Sequence, residues 1–273
     1  MEVILNINDL KFYDLFDNLS IYIEKNKFIT ISGANNCGKT TLIRILSRQI
    51  ETQNSIILYS KSIYDYKIED YLKEVRSVIP KEIIFNENTL EEELNYQSEL
   101  EVSDKNIFIN YIIKGLKIKR MLNKEINYLS SDEIVLAQIA IALVNHPKIL
   151  LLDNIFDYLD KNEIENLYNF LRDYQEKFGL TVIMTTIDLK NSIDSDYLYI
   201  IDSKKVILSG EPLTILQRDN IINKAGLSLP FMIDLSVKLR DYEIINSIYL
   251  NKIKMVDEIW KWYLKIINIK TIF

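Results

Sequence analysis

The chain alternates short apolar runs with segments whose apolar residues recur every three or four positions. The runs 28–32, 148–153 and 181–185 are almost continuously apolar, which predicts strands that are buried on both faces. Residues 3–7 and 21–23 alternate apolar and polar side chains, as strands of a partly exposed antiparallel sheet do. Buried strands that alternate with helices indicate a largely parallel sheet covered on both faces.

Helical periodicity predicts helices over 41–50 and 163–178 and a mostly helical region over 86–129. Ser130 is expected to cap a further helix that runs through Ala142, with Glu133 completing a capping box. Residues 33–40 connect the first continuously apolar strand to the helix over 41–50, whose N-terminus is a candidate anion-binding site.

The pattern changes after Pro212, where residues 213–273 predict a small, helical C-terminal domain. One apolar face recurs at alternating spacings of three and four: Ile253, Val256, Trp260, Tyr263 and Ile267. A membrane-surface helix would show such a face. Packing of this face against the chain's own domain or a partner ATPase is favoured, because helices usually bury an apolar stripe in protein.

Composition narrows the class of protein. The 273 residues are 48% hydrophobic and 26% charged, as in a globular protein with a sizeable core. The net charge of −6 argues against a nucleic-acid partner, because phosphate neutralisation needs a basic surface. The single cysteine, Cys37, allows no internal disulfide.

The start lacks the pattern of a signal peptide, and the longest apolar run, 134–144, is far short of the roughly 20 residues of a membrane helix. We therefore expect a cytoplasmic protein whose contact with a membrane is peripheral.

Residues 33–40 match the phosphate-loop pattern G-x-x-x-x-G-K-[ST] in full. Glycines at both ends let the backbone wrap around a phosphate, and the following helix presents its N-terminus to negative charge. Lys39 is placed to reach the β- and γ-phosphates, and the Thr40 hydroxyl to ligate Mg²⁺. A chance match in a turn is disfavoured, because the loop lies between a predicted buried strand and an amphipathic helix.

Asp153 ends the second continuously apolar run. A lone aspartate after such a run could be a turn residue. Together with the phosphate loop, it is a candidate ligand of Mg²⁺.

At this point the sequence resembles the ATPases of ABC transporters. The residues that carry the resemblance are Gly33–Thr41, the signature-like Leu129–Glu133 before a helix, and Ile149–Asp160. In addition, Gly210–Pro212 and Ala225–Phe231 resemble the C-terminal region of the ATPases of energy-coupling-factor importers.

The resemblance implies an α/β fold of the P-loop NTPase type. This fold has an antiparallel β layer, a helical subdomain at about 86–146 within residues 1–212, and a small dimerisation domain over 213–273. It implies ATP and Mg²⁺ as ligands, with Thr40 and Asp153 on the metal and Ser130 on a partner's nucleotide. The residues implied to contact the chain's own nucleotide are Gly33, Ala34, Asn35, Asn36, Cys37, Gly38, Lys39, Thr40 and Thr41. Tyr13, rather than Phe12, is favoured for stacking on the base, although either could equally belong to the core.

The chain departs from the family pattern at the residues on which hydrolysis is expected to depend. Asn154 replaces the glutamate that polarises the attacking water, and Ile187 replaces the switch histidine. Ile79 is aligned with the usual glutamine. Ser131 and Asp132 replace the signature glycines. A carboxylate about 4 Å from phosphate would cost about 1 kcal/mol in water and about 4 at intermediate dielectric. The loss of a general base typically costs about 10²–10⁴-fold in rate. The only histidine, His146, is assigned a structural part.

These observations predict an ATP-binding subunit of an energy-coupling-factor-type importer. It would pair with a second, preferably different ATPase and with an integral membrane subunit, and its own site would hydrolyse poorly. The alternative is a non-catalytic nucleotide-binding scaffold or regulator. A third possibility is an active ATPase that uses Glu163 or Asp188 as a substitute base, although neither lies where the family places it.

Overall fold

The computed structural model describes residues 2–53, 56–80, 82, 85–99 and 102–270, with ten strands and ten α-helices among them. The strands are β1 (Val3–Phe12), β2 (Phe16–Glu24), β3 (Phe28–Ser32), β4 (Ile56–Leu58), β5 (Lys61–Ser62), β6 (Val75–Val78), β7 (Ile149–Asp153), β8 (Thr181–Thr186), β9 (Tyr197–Asp202) and β10 (Lys205–Gly210). The helices are α1 (Lys39–Leu46), α2 (Ile68–Glu74), α3 (Leu90–Gln97), α4 (Val102–Leu116), α5 (Ser131–Leu143), α6 (Lys161–Phe178), α7 (Pro212–Ile215), α8 (Asp219–Lys224), α9 (Phe231–Asp241) and α10 (Lys252–Lys270).

Two sheets organise the chain. The six-stranded sheet has the order β10-β9-β3-β8-β7-β6, and only β10 runs antiparallel to its neighbour. The four-stranded sheet, β2-β1-β4-β5, is antiparallel throughout. The Tyr199 hydroxyl, on β9, links the two sheets by donating to the Tyr22 carbonyl at 2.6 Å. The predicted combination of a mostly parallel sheet with an antiparallel layer is confirmed.

The continuous apolar runs form strands because the large sheet is covered on both faces. On β7, Leu150 and Leu152 join the apolar cluster of the helical region, which includes residues of α4, α5 and α6. Ile149 and Leu151 alternate with them and face a second cluster, built with α1 and the antiparallel sheet. A strand between two apolar clusters has no solvent face, so its sequence does not alternate.

The helix α1 differs from its predicted bounds of 41–50. It begins at Lys39, directly after Gly38, and ends at Leu46. The end is set by Arg48, which has a φ of 58° and cannot continue a right-handed helix. Its guanidinium donates to the Tyr66 carbonyl at 2.9 Å and lies over the ring of Tyr71. The periodicity of the local sequence does not predict these tertiary contacts.

The C-terminal helices pack on one face of β9. Leu198 and Ile200 of that strand share an apolar cluster with residues of α7, α8 and α9. By contrast, the apolar stripe of α10 is exposed, with Trp260 59% and Ile253 72% accessible, while Met255 on another side of the helix is buried. At Ile253 and Trp260, the chain's own domain therefore leaves the stripe uncovered. No helix among the described residues has the length and apolar character needed to cross a bilayer.

Candidate nucleotide site

The loop between β3 and α1 has the geometry that its glycines predict. Gly38 has a φ of 98°, and a β-carbon there would lie 2.6 Å from the Phe16 ring. A β-carbon on Gly33 would lie 2.5 Å from both the Ile201 carbonyl oxygen and the Cys37 sulfur. Both positions therefore require glycine. Gly38 is required by its backbone angle and by the nearby aromatic ring, and Gly33 by the close approach of a neighbouring strand.

Lys39 lies folded inside the loop and is only 8% exposed. Its ammonium group donates to the carbonyls of Gly33 at 2.6 Å and Ala34 at 2.9 Å, and the sulfur of Cys37 is 3.8 Å away. Lys39 takes part in none of the ion pairs that the described residues form. An ammonium group that is held by carbonyls of its own loop and has no carboxylate partner is a fixed positive charge of the kind that suits a phosphate.

The predicted metal ligands lie side by side. The Thr40 hydroxyl donates to Oδ2 of Asp153 at 2.7 Å, although the two residues are 113 positions apart in sequence. The other carboxylate oxygen, Oδ1, accepts a hydrogen bond from the Thr185 hydroxyl at 2.6 Å. Hydroxyl and carboxylate oxygens suit Mg²⁺, which prefers hard oxygen ligands and takes few from the protein when phosphates supply others. The donor set therefore fits the expected metal.

A cavity of about 340 Å³ lies over these groups. Its lining residues are Leu15, Asn35, Asn36, Gly38, Lys39, Thr40, Thr41, Asp153, Asn154 and Ile187. All of them except Leu15 are among the residues predicted from the sequence. The other three loop residues, Gly33, Ala34 and Cys37, do not line the cavity; Gly33 and Ala34 hold Lys39 through their carbonyls.

The residue that follows Asp153 has an unusual backbone and a fixed side chain. Asn154 is left-handed, with a φ of 48°. Its amide nitrogen donates to the Asp157 carboxylate, and its amide oxygen is buried without a hydrogen-bond partner among the described residues. An amide held in this way cannot take a proton from water at neutral pH. The sequence did not predict that Asp157 would hold the amide of Asn154.

Ile187 connects the cavity to the C-terminal helices. It lines the cavity and also packs against the apolar cluster that includes Leu198 and Ile233. An aliphatic side chain at this position offers no hydrogen bond to a phosphate or to water. Ile79, in contrast, is 6% exposed and belongs to the core beside α1, not to the cavity lining. Of the stretch that was aligned with the glutamine loop, Lys81, Ile83 and Ile84 lie outside the described residues.

Two predicted contact residues lie away from the cavity. Tyr13 is 90% exposed on the β1–β2 turn, where its ring meets Phe12 edge-on at 4.8 Å. Leu15, two residues on, lines the cavity instead. Ser130 is the exposed N-cap of α5. The role of Tyr13 on the base and that of Ser130 on a partner's nucleotide stay predictions.

The signature-like loop is held by charged groups. Glu133 is buried, and its carboxylate accepts from the Lys124 ammonium at 2.7 Å, which lowers the pKa of Glu133. It also accepts from the Ser130 backbone N–H at 3.2 Å, as in the predicted capping box. A hydrogen bond from the Ser130 hydroxyl lowers the pKa of Asp132, so this carboxylate stays charged. A negative charge therefore lies at the position that the sequence resemblance aligned with a glycine.

Two further side chains have local structural contacts. His146 stacks on Phe108 with ring centroids 3.7 Å apart, and burial lowers its pKa below the ordinary value. This packing agrees with the structural part predicted for it. Asp160 caps α6, where its carboxylate accepts from the backbone N–H groups of Asn162 at 2.7 Å and Glu163 at 2.9 Å.

The fold and the cavity together define a P-loop nucleotide-binding domain. The sequence profile of the ABC transporter family matches residues 16–157, more than half of the chain, and the chain belongs to this family.

Curated relatives and solved structures agree with this assignment. The zinc import ATP-binding protein ZnuC of Ehrlichia ruminantium is 27% identical over 226 residues, which is 81% of this chain and 89% of the relative. The energy-coupling factor transporter ATP-binding protein EcfA1 of Mycoplasmopsis pulmonis is 26% identical over 240 residues, 83% of this chain and 88% of the relative. CbiO1 of Clostridium perfringens, part of the ABC transporter complex CbiONQ, has the same fold. Its TM-score is 0.72 at 21% identity, and the match covers 88% of this chain and all of that chain.

Proposed function

We propose that the chain is the ATP-binding subunit of an energy-coupling-factor-type importer, in which it binds Mg-ATP but hydrolyses it poorly. The observation that carries the proposal is the arrangement of Lys39, Thr40 and Asp153 around one cavity, with an amide at position 154 beside them. Lys39 would bind the phosphates. Thr40 and Asp153 would hold Mg²⁺, which neutralises the phosphate oxygens when it is bound. Of the relatives that match most of the chain, ZnuC is named a zinc import ATP-binding protein and EcfA1 an energy-coupling factor transporter ATP-binding protein, and these names support the importer role.

The impaired chemistry follows from the side chains that face the cavity. Asn154 cannot accept a proton, and Ile187 can neither donate nor accept one. The amide of Asn154 is also held by Asp157, so it is fixed in its present orientation. ATP bound in this cavity would still favour a closed dimer, because a ligand shifts an equilibrium by its difference in affinity for the two states.

We further propose that the partner is a different ATPase, and that the pair works at the inner face of the membrane with an integral membrane subunit. Asp132 lies half-buried in the first turn of α5, which would face the partner's nucleotide, and the hydrogen bond from Ser130 lowers the pKa of its carboxyl. Two identical chains would place this charge near both nucleotides. If the partner's loop has glycines in these positions, the Asp132 charge lies near only one of the two nucleotides.

The association state in the presence of Mg-ATP tests the choice of partner. The chain alone is expected to stay monomeric in sedimentation velocity runs when Mg-ATP is added, and the variant Asp132→Gly to self-associate more readily. When a second ABC ATPase from the same genome is added, the wild-type chain is expected to form an equimolar complex with it. A stable, ATP-dependent dimer of the wild-type chain alone would contradict the heterodimer. No complex with any encoded ATPase would favour a nucleotide-binding scaffold or regulator.

A further inference from the structure

Thr185 lies beside the candidate metal ligand in the middle of the buried sheet. It is on β8 in register with Asp153 of β7, and it is 1% exposed. Side chains of register partners on neighbouring parallel strands project from the same face of a sheet. The Thr185 hydroxyl therefore meets the Asp153 carboxylate directly and donates to Oδ1 at 2.6 Å. A hydrogen bond of this length to a charged oxygen is among the stronger kinds found in proteins.

The same hydroxyl has a second partner that fixes its direction. It accepts a hydrogen bond from the backbone N–H of Asn154 at 3.0 Å, and that N–H also lies 3.2 Å from the Thr185 carbonyl oxygen. Because the oxygen accepts from Asn154, its own proton is directed to Asp153. Thr185 thus connects the carboxylate of one residue to the backbone of the next, where the chain turns with a φ of 48°.

The two oxygens of Asp153 consequently have separate partners. Oδ1 is occupied by Thr185 at 2.6 Å, while Oδ2 accepts from Thr40 at 2.7 Å. Thr40 is the residue that would turn its hydroxyl oxygen to Mg²⁺, so Oδ2 is the oxygen that faces the metal position. With Oδ1 bonded to the neighbouring strand, the carboxylate cannot rotate about its Cβ–Cγ bond without losing a charge-assisted hydrogen bond.

We propose that Thr185 is a positioning residue for Mg-ATP: it orients the Asp153 carboxylate toward the metal and holds the backbone of Asn154 at the edge of the cavity. The inference rests on the proposed binding of Mg-ATP and adds a residue to that site. Hydrogen-bond partners that orient metal ligands typically change metal affinity by about 10- to 100-fold when they are removed.

Thr186 provides a matched control on the same strand. It is as buried as Thr185, at 1% exposure. It projects from the opposite face of β8, where its hydroxyl lies 3.3 Å from the Asp188 carbonyl oxygen. The change from threonine to valine therefore removes one buried hydroxyl at either position, but only Thr185→Val removes a partner of Asp153.

The test compares ATP binding with Mg²⁺ and with EDTA in the wild type, Thr185→Val, Thr185→Ser and Thr186→Val. For Thr185→Val, we expect Mg-ATP affinity to fall by about 10- to 100-fold while Mg-free affinity changes little. In a magnesium titration at fixed ATP, the midpoint should rise by a similar factor. Thr185→Ser, which keeps the hydroxyl, and Thr186→Val should both behave as the wild type.

Equal losses with and without Mg²⁺ in Thr185→Val would overturn the inference, because they would show a purely structural role. Unchanged affinities in that variant would overturn it as well. If Thr185→Val does not fold, as judged by circular dichroism, Thr185→Ala is measured by the same criteria. A folded wild type that binds no ATP, or whose binding ignores Mg²⁺, would instead refute the proposed function, whatever the Thr185 variants show.

Discussion

Replacing Lys39 with alanine is expected to weaken the binding of Mg-ATP by about 100-fold, which corresponds to about 3 kcal/mol, the upper part of the range for a hydrogen bond to a charged group. Lys39 is 8% exposed, and its ammonium group is fixed by two carbonyls of its own loop, at 2.6 and 2.9 Å. It is therefore held in place before the nucleotide arrives, and little side-chain entropy remains to be lost on binding. Isothermal titration of Mg-ATP into the folded wild type and Lys39→Ala measures the difference.

A matched control separates the loss of the site from the loss of a positive charge. Lys25 is a surface lysine that pairs with Glu2 at 3.3 Å, away from the cavity. Lys25→Ala should leave the affinity for Mg-ATP unchanged and alter the thermal midpoint little, since exposed ion pairs stabilise by less than about 1 kcal/mol. If Lys39→Ala bound Mg-ATP as tightly as Lys25→Ala does, the phosphate loop would not be the nucleotide site.

The double variant Asn154→Glu/Asp157→Asn is expected to hydrolyse bound ATP about 10²-fold faster than the wild type, at the lower end of what a positioned general base contributes. Asn154 donates its amide to the Asp157 carboxylate. The double variant exchanges the two groups, so an amide at 157 would donate to a carboxylate at 154 and hold it at the cavity. Single-turnover hydrolysis, with the chain in excess over ATP, measures the rate without product release. We expect the acceleration to lie at the lower end of this range because Ile187 and the signature-like loop are unchanged.

Each single exchange serves as a control in this experiment. Asn154→Glu alone would place two carboxylates side by side, and one of them would then keep a proton. It should accelerate hydrolysis less than the double variant does. Asp157→Asn alone adds no base and should hydrolyse at the wild-type rate. If the double variant were no faster than Asp157→Asn, the missing base would not be what limits this site.

The parts of the site that the sequence predicts are those that depend on neighbours along the chain. Gly38 and Lys39 are recognised because a phosphate loop needs them at fixed spacing between a strand and a helix. Asp153 is recognised because it ends a buried strand. The end of α1 at Leu46 was not predicted, because it depends on tertiary contacts of Arg48 with Tyr66.

The parts that the sequence does not predict depend on how distant segments align. Thr185 meets Asp153 only through the register of β8 on β7, and nothing in a run of buried β-forming residues marks it. Leu15 reaches the cavity because the β1–β2 turn folds over the phosphate loop. The stripe of α10 was expected to pack against the chain's own domain or a partner ATPase; its own domain leaves Ile253 and Trp260 exposed, and packing against a partner stays a prediction. Periodicity shows which residues share a face of a helix, but not what covers that face.

The most direct test of the central claim is whether ATP that is bound to the isolated chain stays intact or is hydrolysed. The chain is mixed with a small amount of Mg-ATP labelled in the γ-phosphate, and free phosphate is followed over time beside Lys39→Ala. We expect the label bound to the wild type to remain intact ATP, and Lys39→Ala to hold far less bound label. Prompt, stoichiometric phosphate release by the wild type that is abolished in Lys39→Ala would contradict the account, because it would show a competent site.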